Sequence, residues 1–157
     1  MLRIDMDEVA MRIITLEEHI TTPAIVKAVA TGPSGPPPAN PYLEALQAKL
    51  LDLGAGRLAD MDAAGISVQV LSQAAAGLDR IDPSAAEELA RDANDRMAEA
   101  VKAHPDRLAA FATLAPQKPE KAAAEFERCI RQLGFKGGMV NGTTKGLFLD
   151  HAQFAPL

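Results

Sequence analysis

The chain has 157 residues, 48% hydrophobic and 24% charged, with a formal net charge of -5 and a pI near 5.2. That is enough apolar material for one buried core in a chain of single-domain length. The acidic balance, the lack of a Lys/Arg cluster and the scarcity of aromatics (five Phe, one Tyr, no Trp) argue against a nucleic-acid footprint and against docking on anionic lipid.

In chain order, "MLRIDMDEVA" carries Asp5, Asp7 and Glu8 and lacks an apolar stretch, so residues 1–10 read as a flexible N-terminal extension and not as a secretory signal. The first strand is expected over Arg12–Leu16, from its β-branched run, and it leads into Glu17-Glu18-His19. Residues 31–41, "TGPSGPPPANP", form an extended surface loop. Leu43, Leu46, Leu50 and Leu53 recur at helical spacing from Pro41 to Leu53, and Arg57–Ala64 continues the pattern until Gly65 stops it.

A second strand is expected over Ile66–Leu71. The long helix after Asp82-Pro83 opens with a Ser84/Glu87 capping box and presents Ala86, Leu89, Ala93, Met97 and Ala100 or Val101, ending at Pro105. Leu108–Leu114, between Pro105 and Pro116, reads as a third strand. A helix from Pro119 buries Ala122, Ala123, Phe126, Ile130 and Leu133 before Gly134, and Gly137–Val140 supplies a fourth strand.

Strands alternating with helices imply a parallel sheet with right-handed crossovers. Four strands fit either a small open sheet or half of an eight-stranded (β/α)₈ barrel, whose usual length is about 250 residues. No run of about 18 apolar residues predicts a membrane span. The single cysteine, Cys129, forbids an intrachain disulfide, reads as a packed thiol, and suits a reducing, cytoplasmic setting.

The chemistry is concentrated at the end of the first strand. Side chains alternate along a strand, so Glu17 and His19 are expected on one face and Glu18 on the other. A carboxylate and an imidazole so spaced suit a shared divalent ion, although catalytic sites usually take three protein ligands. An ordinary solvated strand end has the same composition, and spacing alone leaves both readings open. Asn141 ends the fourth strand, where its amide either begins an Asn-Gly turn or meets a ligand hydroxyl. Ser72 ends the second strand, too common a placement to single out. Asn94 and Asp95 are expected to fix a local hydrogen bond, and His104 to be structural near a helix C-terminus. No G-x-S-x-G, P-loop, G-x-G-x-x-G or paired cysteine is present.

From "LEEHI" onward the chain resembles the amidohydrolase-related family, specifically the metal-dependent aromatic-acid decarboxylases typified by γ-resorcylate and 2,3-dihydroxybenzoate decarboxylases. The segment "LLDLGAGRLADMDAAGISVQVLS" and, in order, "AND" at Ala93–Asp95, "HPDR" at His104–Arg107 and "GGMVNG" at Gly137–Gly142 carry the likeness. The resemblance implies a TIM-like (β/α)₈ barrel of which residues 11–157 are the N-terminal half, about four parallel strands with intervening helices.

It further implies one divalent ion (zinc or manganese) with Glu17 and His19 as ligands, Asn141 lining the substrate pocket, and a small aromatic carboxylic acid as substrate. The family's third metal ligand, a histidine on strand five, and its later histidine and aspartate fall beyond Leu157; His151 precedes any fifth strand and does not match. The chain thus reads as a truncated piece. The implied function is a non-oxidative carboxy-lyase for hydroxybenzoates when full length, a homo-oligomer without nucleic-acid or membrane partners, with the 157-residue chain alone inactive. The alternatives are a metal-dependent hydrolase on the same scaffold and an inactive half-barrel that associates with a partner half.

Overall fold

The computed structural model describes residues 11–32, 35, 38–74, 78 and 81–157. The expected extension over residues 1–10 and part of the Pro/Gly-rich loop lie outside the described residues. The elements are β1 (Ile14–Ile20), α1 (Pro23–Ala30), α2 (Pro41–Leu51), α3 (Ala55–Ala63), β2 (Val68–Gln73), α4 (Pro83–Ala103), β3 (Leu108–Thr113), α5 (Pro119–Arg131) and β4 (Gly137–Met139), followed by a 3₁₀ turn at Ala152–Phe154. All four strands are parallel and stand in sequential order, β1-β2-β3-β4. Each strand lies beside its predecessor, as consecutive strands of a (β/α)₈ barrel do.

Local chemistry explains the boundaries. Four of the helices begin with proline in the first turn, where its missing N–H costs nothing. Side-chain oxygens of Thr22, Asn40 and Asp82 accept from the N–H groups of Ile25, Tyr42 and Ser84 at 3.2, 2.9 and 2.9 Å. Two helices stop on left-handed glycines. Beyond Gly65 (φ +68°) Ile66 N–H reaches back to the Met61 carbonyl at 2.9 Å, and beyond Gly134 (φ +72°) Phe135 N–H reaches Cys129 at 3.1 Å, which satisfies carbonyls the helix leaves open.

One face of the sheet packs on the helices. Leu71, Leu108, Ala110 and Ala112 meet Met61, Met97, Ala100, Ala122 and Cys129 in a continuous core. Small alanines on β3 let α4 and α5 approach closely. Register assigns the opposite face to Val68, Val70 and Ser72 of β2, with Ile14 and His19 of β1 beside them.

Several expectations are corrected. β1 continues through His19 to Ile20, past the expected end at Leu16, because Ile20 is fully buried in the core. α1, with its Thr22-Pro23 start, was not expected. The Ser84/Glu87 capping box does not form: Asp82 is the cap, and Lys118 draws both Ser84 and Glu87 to its ammonium at 3.2 Å. Along α5 the buried phase passes through Ala122 and Cys129, which turns Ile130 to solvent. Leu43 and Leu46 of α2 are also exposed, so that helix buries less than its leucine spacing suggests. No helix among the described residues is long and apolar enough to cross a membrane.

Candidate functional site

The carboxyl end of β1 is irregular. Ile14 and Thr15 pair with Val68 and Gln69, and Glu18, His19 and Ile20 pair with Leu71, Ser72 and Gln73, so Leu16 and Glu17 together oppose Val70 alone. This is a β-bulge, and Glu17 within it takes left-handed backbone, at φ +57°. Residue-by-residue alternation therefore does not run through Glu17. The paired positions place Glu18 with Gln69 and Leu71 on the helix-covered face and His19 with Ser72 on the other. Glu17 is exposed, and its carboxylate has no hydrogen bond or ion pair among the described residues.

His19 is held more firmly. Its Nδ1 lies 3.1 Å from the hydroxyl of Ser72, which is fully buried on the neighbouring strand. That contact leaves Nε2 as the outward nitrogen. On the helix side, the Arg57 guanidinium donates to the His19 carbonyl at 2.9 Å, to Gln69 Oε1 at 3.0 Å and to the Asp52 carbonyl at 2.8 Å. Burial pulls the Arg57 pKa down, against the attraction of Glu18, Asp52 and Asp60. One planar fork thus ties the end of β1 to β2 and to the loop after α2.

A divalent ion would draw on one carboxylate oxygen from Glu17 and one imidazole nitrogen from His19, a donor set that suits manganese or zinc. The pair is right in kind and short in number, because no group of three or more His, Cys, Asp or Glu able to hold a metal occurs among the described residues. His151 caps the 3₁₀ turn through the Gln153 N–H at 3.3 Å, and His104 caps α4.

Asn141 follows β4, at the opposite edge of the sheet from β1. The turn after it is realised at Gly142, and Asn141 also lines a small cavity with Gln73 and Thr113 at the carboxyl ends of β2 and β3. Behind this cavity, fully buried Asn94 of α4 grips Thr113, far from its own turn of helix and not by the local bond expected for it. Glu125 of α5 joins the cluster. Burial pushes its pKa up, but hydrogen bonds from Arg128 and Asn94 outweigh that and leave it below the ordinary carboxylate range. Burial, with Glu125 beside it, pushes the Cys129 thiol up to about 12, which fits the packed, unreactive thiol expected.

Arg57 and the long reach of Asn94 are the site features that sequence reasoning missed, and Ser72, noted at its strand end, was not singled out. Ser72 had a signal, since its strand-end position registers with His19, but nothing in one sequence gives the pairing. Arg57 stands in a segment quoted for the family resemblance, with no local mark of its role.

The chain is similar to γ-resorcylate decarboxylase of Rhizobium radiobacter, at 39% identity over 150 residues that cover 91% of this chain and 44% of that one. The 5-carboxyvanillate decarboxylase of Novosphingobium aromaticivorans, solved with bound manganese, superposes with a TM-score of 0.84 at 32% identity, covering 94% of this chain and 47% of that one. The 2,6-dihydroxybenzoate decarboxylase of Rhizobium gives a TM-score of 0.80 at 38% identity, covering 93% and 45%. The chain therefore spans a little under half the length of these relatives, and its four-strand sheet corresponds to the N-terminal half of their barrel. The model of the amidohydrolase family matches residues 36–157. On that match and those relatives, the chain belongs to the amidohydrolase family.

Proposed function

We propose that this chain carries the first half of the active site of a metal-dependent, non-oxidative decarboxylase of hydroxybenzoate-type acids. The observation that carries the reading is the Glu17-x-His19 pair at the carboxyl end of the first strand, in a chain 39% identical to a γ-resorcylate decarboxylase. A divalent ion, when bound, supplies Lewis-acid charge stabilisation and a template for a carboxylate and its adjacent phenolate.

The chain's own residues do the rest of what is assigned to it. Glu17 offers an exposed anionic oxygen. His19 offers Nε2, with its ring plane held by the Ser72 hydroxyl at Nδ1. Arg57 holds the peptide carbonyl of His19 and so keeps the strand end from fraying. Asn141 meets a phenolic hydroxyl. In the overall reaction a proton adds to the ring carbon bearing the carboxylate, the carbon–carbon bond breaks, CO₂ leaves, and the bonding pair restores the aromatic ring. Glu17 and His19 are ligands in this scheme, and the proton donor is a different group.

The test is product analysis on the full-length, manganese-loaded protein. Release of CO₂ and resorcinol from 2,6-dihydroxybenzoate in equal amounts supports the reading. Cleavage of an ester, lactone or amide without CO₂ would replace it with hydrolysis on the same scaffold.

A second reading has its own observation. β1 is an edge strand with Ile14 and Leu16 52% and 61% exposed, and Phe148 beyond β4 is 66% exposed. Open apolar edges invite pairing. On this reading the 157-residue chain is inactive alone and associates with a partner half. Light scattering that returns a well-behaved monomer with cooperative unfolding rejects it.

A further inference from the structure

The chain contains the asparagines Asn40, Asn94 and Asn141, and their main-chain settings differ. An asparagine side chain is open to attack by the peptide nitrogen of the next residue under three conditions. That nitrogen must carry a hydrogen, be sterically accessible and be free of a hydrogen bond. Asn40 fails the first, because Pro41 has no N–H, and its Oδ1 accepts from the Tyr42 N–H at 2.9 Å. Asn94 fails the others. It is fully buried within α4, where helical bonding occupies the Asp95 nitrogen, and both atoms of its own amide are bound, to Thr113 and Glu125.

Asn141 meets all three. The next residue is Gly142, whose lack of a side chain leaves its nitrogen unhindered. The pair lies beyond Met139, the last residue of β4, and outside every helix and strand. Gly142 is exposed, takes a left-handed φ of +57°, and has nothing within 4 Å of where a side chain would stand. Among the described residues its N–H has no main-chain partner. Main-chain bonding resumes at Thr144, which exchanges two hydrogen bonds with Leu147 at 2.9 and 3.1 Å.

We infer that Asn141-Gly142 is a self-modification site, at which the asparagine amide is lost as ammonia and a carboxylate takes its place. The Gly142 nitrogen bonds to Asn141 Cγ and gives up its proton. The Cγ–Nδ2 bond breaks, and the departing nitrogen takes up that proton and leaves as ammonia. Water then opens the cyclic imide at either carbonyl. One opening gives aspartate. The other gives isoaspartate, in which the main chain runs through the side-chain carbon and is longer by a methylene. Nothing is oxidised or reduced, and water is the co-reactant. Either product sets an anion at the carboxyl end of β4. The inference stands apart from the decarboxylase reading, which adds a consequence: the neutral amide assigned there to a phenolic hydroxyl becomes charged.

The chain is incubated in heavy-oxygen water, sampled over time and digested with trypsin in ordinary water. The digest releases Asn141 in Gly137–Lys145, Asn94 in Asp92–Arg96 and Asn40 in Ala28–Lys49. Mass spectrometry is expected to show ammonia loss and heavy-oxygen gain in Gly137–Lys145 alone, with isoaspartate located at Asn141 by fragmentation. The folded chain is expected to react within about tenfold of the same chain unfolded in urea, the factor that ordering about one residue's backbone imposes. Asn141→Gln, which would have to close a larger ring, is expected to abolish the change. An Asn141 amide that stays intact while the unfolded chain loses most of its own overturns the inference. So does equal loss at Asn94. In the full-length, manganese-loaded protein, CO₂ release that falls in step with the product supports both the modification and the pocket role of Asn141. CO₂ release that the product leaves unchanged would remove Asn141 from the pocket and leave the modification standing.

Discussion

Asn94 and Thr113 hold each other by two hydrogen bonds. The Asn94 side-chain oxygen accepts from the Thr113 N–H at 2.7 Å, and its amide nitrogen donates to the Thr113 carbonyl at 3.0 Å. A helix side chain thereby stands in for a neighbouring peptide at the carboxyl end of β3, where the cavity begins. Asn94→Ala would orphan both main-chain groups in a fully buried setting. At a cost of about 1–3 kcal/mol for each unsatisfied group, partly relieved by relaxation, we expect a loss of about 3 kcal/mol in unfolding free energy. Urea denaturation followed by circular dichroism measures it, and a change below about 1 kcal/mol would show that water replaces the amide readily.

The same asparagine donates to Glu125 at 2.9 Å, which Arg128 also grips at 2.6 and 2.8 Å. Glu125 has a folded-state pKa below its ordinary value, with burial opposing and the hydrogen bonds prevailing. The sign follows from linkage. Stability from this carboxylate is present above the ordinary glutamate range and is lost as pH falls through that range to the lower folded value. Urea midpoints measured from neutral to acidic pH should fall less steeply in Glu125→Gln than in the unsubstituted chain. Parallel curves would place the acid sensitivity in other carboxylates.

Ser72 and His19 form the pair that orients the proposed metal ligand. Removing a group that orients a ligand typically costs 10–100-fold in metal affinity. Ser72→Ala in the full-length protein should therefore weaken manganese binding by about tenfold in chelator competition, with little change in fold. His19→Ala should lower bound metal outright, read by elemental analysis after gel filtration, and unchanged metal would remove His19 from the ligand set.

Glu17 sits at φ +57°, one of two non-glycine residues with positive φ among those described. A left-handed L-residue costs about 1–2 kcal/mol, and such outliers cluster at functional sites. Glu17→Gly should therefore raise the unfolding free energy by about 1 kcal/mol while lowering bound metal. A variant that loses metal and stability together would mean that the bulge depends on the glutamate side chain.

Much of the architecture was legible because its signals are local. Proline at helix starts, Gly65 and Gly134 at helix stops and the β-branched run before Glu17 each act within a turn or two of their own position. The corrections have non-local causes. Ile130 looks as apolar as Cys129, but only docking on β3 decides which of the two faces inward. Asp82 is the cap of the Pro83 helix, and Ser84, one residue inside it, is engaged by Lys118 from beyond the next strand. At the site, the E-x-H spacing was visible in "LEEHI", but the bulge at Glu17 is a property of the β1–β2 register and has no mark in one strand alone. Ser72, 53 residues from His19, could not be joined to it before the strands were paired.

The grip of Arg57 on the His19 carbonyl has a consequence for how such a protein can change. It seizes the main chain and never the imidazole, and it does so from the helix-covered side. Exchanging the side chain at this position leaves the brace untouched. A lineage with this arrangement could try new donor atoms at the strand tip, and so new chemistry, without first rebuilding the scaffold that carries them.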